Sequence, residues 1–202
     1  PTPQRHHASR WSGRWSRLLR VAQGCTGMVR KGIARMVAPI RLLVLGTGNM
    51  GHTHAEAFAA MDGVLLVGAV DPRPEVLSAF CARHGIAQAF ATLDEALAWG
   101  AFDAVSNVTP DAAHHSTTLP VLAAGKHILC EKPLATSEAL AAEMAEAAAR
   151  TGVVAMVNLT YRSGPALQRA ARMVAEGAIG AVRHFEASYL QSWLTQAAWG
   201  DW

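Results

Sequence analysis

In the stretch "HILCEKPLAT", residues 127 to 136, an apolar run from Ile128 to Cys130 stops at Glu131, Lys132 and Pro133. Short apolar runs are buried strands of parallel sheets, and proline cannot donate to a sheet ladder, so the two charges sit where a strand leaves its sheet. Successive strand residues face opposite ways, which sends Glu131 and Lys132 to different sides of a site. An ammonium held there can stabilise an oxygen that gains negative charge during a reaction. At its ordinary pKa of about 10.4 it is a poor general base. Lys132 is therefore the catalytic candidate in this chain, and it is insufficient alone, because a charged ammonium stabilises an oxyanion without taking up a proton.

A second constellation is "GTGNMG", in which Gly46, Gly48 and Gly51 flank Asn49 and Met50. An apolar strand precedes it, a helical pattern follows, and Asp71 ends the next strand twenty residues after Gly51. In that context the glycines allow a tight turn and let a pyrophosphate approach the N–H groups at a helix N-terminus. Asp71 can accept from both hydroxyls of an adenosine ribose, which favours NAD. Arg73 can instead hold a 2′-phosphate, so NADP stays open. His52 and His54 follow the last glycine and read as structural. His114 and His115 begin a later helix, where contact with cofactor and simple solvent exposure are both open. The cysteines Cys25, Cys81 and Cys130 are scattered without metal-ligand spacing, so no metal is expected.

The elements that must position these groups alternate regularly. "IRLLVLG" (40 to 46), "VLLVGAVDP" (64 to 72), "AQAFA" (87 to 91), "FDAVSNVTP" (102 to 110), "HILC" (127 to 130) and "VVAMVN" (153 to 158) read as six strands. Helices lie between them, at about 74 to 84, after Thr92 as N-cap, at 111 to 124 and at 136 to 150. The pattern predicts an α/β fold, a doubly wound parallel Rossmann sheet, with ligands at the C-terminal ends of the strands. Residues 39 to 160 make this dinucleotide-binding domain. Residues 161 to 202 read as the start of a second α/β domain, with a helix ending at Gly177 and a strand at 181 to 190; the sequence looks cut off just inside that domain.

Residues 1 to 38 carry eight Lys or Arg and no Asp or Glu, whereas the rest holds ten basic and fifteen acidic side chains. The basic character thus belongs to the N-terminal segment. Its composition fits an Arg-rich targeting peptide, a basic arm or a disordered extension, and no function is assigned to it. No apolar run approaches the roughly 18 residues of a membrane helix. Scattered cysteines in odd number fit a reduced, cytoplasmic protein. No nucleic-acid or membrane partner is expected.

The segments "VLGTGNMGHTHAEAF", "AVDP", "NVTPDAAHHSTTLPVLAAGKHILCEKPLA" and "LTYRSGPALQRAARMVAEGAIGAVRHFEASY" resemble the Gfo/Idh/MocA oxidoreductases. The resemblance runs from about Ile40 to Trp202. It implies a Rossmann domain for NAD or NADP, followed by an open-sheet domain carrying substrate and oligomer contacts. It also implies hydride transfer between nicotinamide and a secondary alcohol or ketone of a sugar, cyclitol or related polyol. By this resemblance Lys132 touches the nicotinamide ribose and a substrate hydroxyl, and the Lys132–Pro133 bond is cis. Thr109, Pro110 and His114 line the cofactor, Glu131 belongs to its site, and Arg162 sits near the nicotinamide end. The family's second catalytic group, commonly a histidine, would fall beyond position 202. A homo-oligomer is expected of the full-length protein, and a non-catalytic dinucleotide-binding protein is the alternative.

Overall fold

A computed structural model describes residues 38–192. Six strands, β1 (Ile40–Leu45), β2 (Val64–Val70), β3 (Gln88–Phe90), β4 (Ala104–Asn107), β5 (His127–Cys130) and β6 (Ala155–Val157), form one parallel sheet in the order β3-β2-β1-β4-β5-β6. The helices are α1 (Asn49–Ala59), α2 (Pro74–His84), α3 (Leu93–Trp99), α4 (His114–Ala123), α5 (Glu138–Thr151) and α6 (Pro165–Ala175). Parallel neighbours need a crossover on a sheet face, so both faces are covered and the central strand is apolar on both sides.

The period of two along β1 divides the core. Leu43 and Leu45 pack with Val70, Phe102, Val105, Val121, Leu122 and Ile128 on one face. Val44 points the other way, to Ala55, Ala69, Leu77 and Phe80. Burying one such large side chain contributes about 1.5–3 kcal/mol, so these two clusters hold the sheet together. Local signals act as expected at α3, where Thr92 and Glu95 form a capping box. The α5 helix, expected at 136 to 150, spans Glu138–Thr151 with Ser137 as its N-cap.

Register is what builds the ligand edge. Leu45 is level with Val70 and Asn107, Asn107 with Cys130, and Cys130 with Val157. Gly46, Asp71, Val108, Glu131 and Asn158 are therefore each the first residue past the same edge. Strand order reverses between β1 and β4, which opens the crevice there.

One expected element is missing. Residues 181–190 form no strand, and Phe185 and Leu190 are 83% and 92% exposed. Alternating hydrophobicity specifies a strand only when another edge satisfies its backbone, and no strand among the described residues pairs with this segment. The expected helix before it is present as α6, which buries none of its side chains. The basic extension falls almost wholly outside the described residues.

The glycine turn is set by contact. A Cβ at Gly51 would lie 2.5 Å from the Gly46 carbonyl oxygen, and one at Gly46, with φ +98°, would lie 2.8 Å from Val108 O. At Gly48 a Cβ meets nothing within 4 Å. Gly51→Ala should thus cost about 1–3 kcal/mol in urea denaturation, as overpacking does. Gly48→Ala should unfold like the wild type while binding dinucleotide more weakly.

Candidate active site

The sheet edge holds two groups of side chains, one on each side of the crevice. On the β2 side, α1 starts at Gly48 with no side-chain cap, leaving its first-turn N–H groups for a ligand. The open space at Gly48 is where a larger side chain would intrude, so the turn fits a pyrophosphate. Met50 is exposed on the same turn.

Asp71 is 3% exposed and saturated with donors. Its Oδ2 accepts from Thr47 N at 3.0 Å, Thr47 Oγ1 at 2.7 Å and Arg73 Nη2 at 2.9 Å. Its Oδ1 accepts from Arg73 N at 3.0 Å and Nε at 2.9 Å. The Arg73 guanidinium holds the Asp71 carboxyl far below the usual carboxylate range, burial opposes this, and Thr47 adds to the lowering. Ribose hydroxyls reach Asp71 only by displacing part of this set. The Arg73 side chain, 60% exposed, is the group free to swing away.

On the β5 side, Glu131 is 7% exposed and turns into the domain. Its Oε1 accepts from His54 Nε2 at 3.0 Å and from Asn158 Nδ2, and its Oε2 accepts from the Lys132 backbone N–H at 3.1 Å. Burial raises the Glu131 pKa, but the hydrogen bonds from Asn158, the Lys132 amide and His54 outweigh it and leave the group below its ordinary value. Lys132 is exposed, its side chain makes no ion pair with Glu131, and the Lys132–Pro133 bond is cis. The two neighbours do serve different sides. Glu131 supports the edge from inside rather than offering a free oxygen to cofactor.

His114 corrects an expectation. Its ring is fully buried, with Nδ1 2.7 Å from Pro133 O and Nε2 2.9 Å from Thr109 O. With no exposed surface and both nitrogens engaged, it is not the solvent-exposed residue that one reading allowed; it ties the turn after β5 to the turn after β4. Thr109 N and Oγ1 donate to Asn107 Oδ1, and Pro110 is exposed beside them. Arg162 is exposed in the 3-10 turn Thr160–Ser163 that follows β6. His115 pairs with Glu143 on α5, and His52 with His84 on α2 at 2.8 Å, against Phe80. His54, read as structural, proves to be a buried member of the Glu131 group. Ser106, Asn107 and Asn158 are polar residues of this edge that motif and spacing do not mark. Their signal was polarity inside or just after apolar runs, since a buried polar group must find partners.

A parallel sheet of this order, with an uncapped glycine turn at its switch point and an acid ending β2, defines a dinucleotide-binding protein of the doubly wound class. Residues 40–159 match the family described as "Oxidoreductase family, NAD-binding Rossmann fold". The chain belongs to that Gfo/Idh/MocA family. It is 31% identical over 158 residues to levoglucosan dehydrogenase of Pseudarthrobacter phenanthrenivorans, covering 74% of this chain and 40% of that protein. Against scyllo-inositol 2-dehydrogenase (NADP(+)) of Bacillus subtilis it is 34% identical over 152 residues, covering 75% and 46%. The crystal structure of the WlbA dehydrogenase from Bordetella pertussis with NADH and UDP-GlcNAcA matches with a TM-score of 0.66 and 32% identity, over 70% of this chain and 44% of that one. The chain thus spans less than half the length of these relatives. Among the described residues no helix is long and apolar enough to cross a membrane.

Two outcomes follow from the buried polar groups. His114→Ala removes the buried ring that links the turns after β4 and β5 and should cost about 1–3 kcal/mol, read by urea denaturation, with weaker dinucleotide binding. Asp71 and Glu131 have native pKa values below their unfolded ones, near 4. Their stabilisation is full above that value and is lost as pH falls through the native ones. Acid titration of stability should therefore show a loss beginning near pH 4, and Asp71→Asn should flatten it.

Proposed function

We propose that this chain is the cofactor-binding portion of an NAD(P)-dependent dehydrogenase or reductase. Its reaction moves hydride between nicotinamide and a secondary alcohol or ketone of a sugar, cyclitol or related polyol. The observation that carries the reading is Lys132: an exposed ammonium at the C-terminal end of β5, on a turn anchored through Glu131 and His114. The names of the relatives, dehydrogenases of levoglucosan and of scyllo-inositol, support the substrate class.

In this reading Gly46, Gly48, Asn49, Met50 and Gly51 receive the pyrophosphate at the α1 N-terminus. Asp71 takes the adenosine ribose hydroxyls once Arg73 moves aside. Thr109, Pro110 and Arg162 border the nicotinamide half, with His114 holding their turns in place. The bound nicotinamide supplies the hydride acceptor or donor. Lys132 holds the substrate oxygen, and its positive charge stabilises the alkoxide as the hydroxyl proton leaves. The proton acceptor belongs to the substrate-binding domain, which we place from residue 161 onward. The whole enzyme is read as a cytoplasmic homo-oligomer.

Lys132→Ala in the full-length protein should lower kcat by about 10²–10³-fold, the range for losing one oxyanion donor, with NAD affinity largely kept. Unchanged turnover would sink the catalytic assignment and leave a dinucleotide-binding protein. For cofactor choice, NAD should bind more tightly than NADP by about 1–3 kcal/mol, the worth of charge-assisted bonds to Asp71. Calorimetric titration of both cofactors checks this, and tighter NADP binding would transfer the adenosine end to Arg73.

A further inference from the structure

The turn that carries Lys132 is exposed, yet the groups beneath it are not. His54, on the second turn of α1, is 6% exposed, and its ring is engaged at both ends. Nδ1 lies 2.8 Å from Ser106 Oγ on β4, and Nε2 lies 3.0 Å from Glu131 Oε1. Asn158, just past β6, donates to the same Glu131 oxygen and lies 3.3 Å from His54 Nε2. Glu131 Oε2 then accepts the backbone N–H of Lys132. Three separate strands and the cofactor-binding helix thus converge on one buried carboxylate. The last bond in the chain ends on the main chain of the reactive residue.

We propose that His54 and Glu131 form a positioning dyad for Lys132. His54 fixes the Glu131 carboxylate, and the carboxylate fixes the Lys132 amide, setting the direction in which the side chain leaves the strand. Neither residue contacts substrate. The anchor also starts on α1, the helix whose N-terminus receives the pyrophosphate, so one rigid element sets the phosphate site and, two links away, the lysine. A displacement of about 1 Å in a reacting group can cost about 10²-fold in rate, which makes such an anchor worth a buried charge. A buried histidine that merely filled space would need no carboxylate partner, and burying that carboxylate is expensive unless its donors serve a purpose.

The inference rests on the catalytic reading of Lys132, so its test has one readout of activity and one independent of it. In the whole enzyme, His54→Ala removes the donor to Glu131, whereas His54→Gln returns an N–H near the Nε2 position. With His54→Ala, kcat should fall about 10²-fold while KM for NAD changes less than about threefold. Hydrogen exchange at the Lys132 amide should be about tenfold faster, as for a locally opened bond. His54→Gln should recover both. If His54→Ala unfolds, Glu131→Gln serves instead: it keeps the shape but cannot accept all the donors, and the same loss of rate and protection is expected. Unchanged amide protection, a kcat within about twofold of wild type, or equal losses in His54→Ala and His54→Gln would each overturn the dyad. If Lys132→Ala turns over normally, the functional reading falls, and the exchange measurement decides the dyad by itself.

Discussion

The constraint behind everything else is the distance of closest approach between the end of β1 and the start of the turn after β4. Gly46 brings its backbone against Val108, and Gly51 sits against the Gly46 carbonyl. A single methyl group at either place would push the helix off the sheet. Because it does not, the N-terminus of α1 is drawn to the switch point and the level strand ends stay level. Asp71, Glu131 and Asn158 then arrive along one line. The proposed phosphate site and the turn that carries Lys132 therefore both depend on one packing contact.

Polarity at this edge is managed by concentration. Asp71 accepts five hydrogen bonds and Glu131 three, while His114 spans two carbonyls. Among the described residues no buried side-chain nitrogen or oxygen is left without a partner. Each buried charge is stabilised by donors from several elements, so the edge is rigid where it must hold a ligand. Lys132 is the charged side chain left outward on the β5 turn, beside the buried Glu131.

Much of this could be read in the sequence, for physical reasons that differ by residue. The glycine turn, Asp71 and the six strands were legible because local chemistry specifies them: φ freedom, helix N-termini and apolar periodicity. The outward position of Lys132 was legible because successive residues at a strand end face opposite ways, which separates it from the buried Glu131. The role of His54 was not, because Ser106 and Glu131 lie 52 and 77 residues away and only register brings them together. His114 misled because its place at a helix start suggested exposure; its burial depends on the turns after β4 and β5 closing over it. The expected strand at 181–190 failed for another reason, since alternation describes a face and a strand also needs an edge.

The Asp71–Arg73 pair carries a consequence for how the protein meets its cofactor. In the proposed reading the ribose hydroxyls take the place on Asp71 that the Arg73 guanidinium holds, so binding is an exchange of partners and not a simple addition. An exchange responds to solution conditions differently from an addition. Rising ionic strength screens the exposed arginine from the carboxylate and loosens the occupant, while it weakens any phosphate that the arginine would otherwise hold. Salt therefore pushes the balance toward the neutral ribose and away from its phosphorylated form. The preference between the two nucleotides is then a property of the medium as well as of the fold.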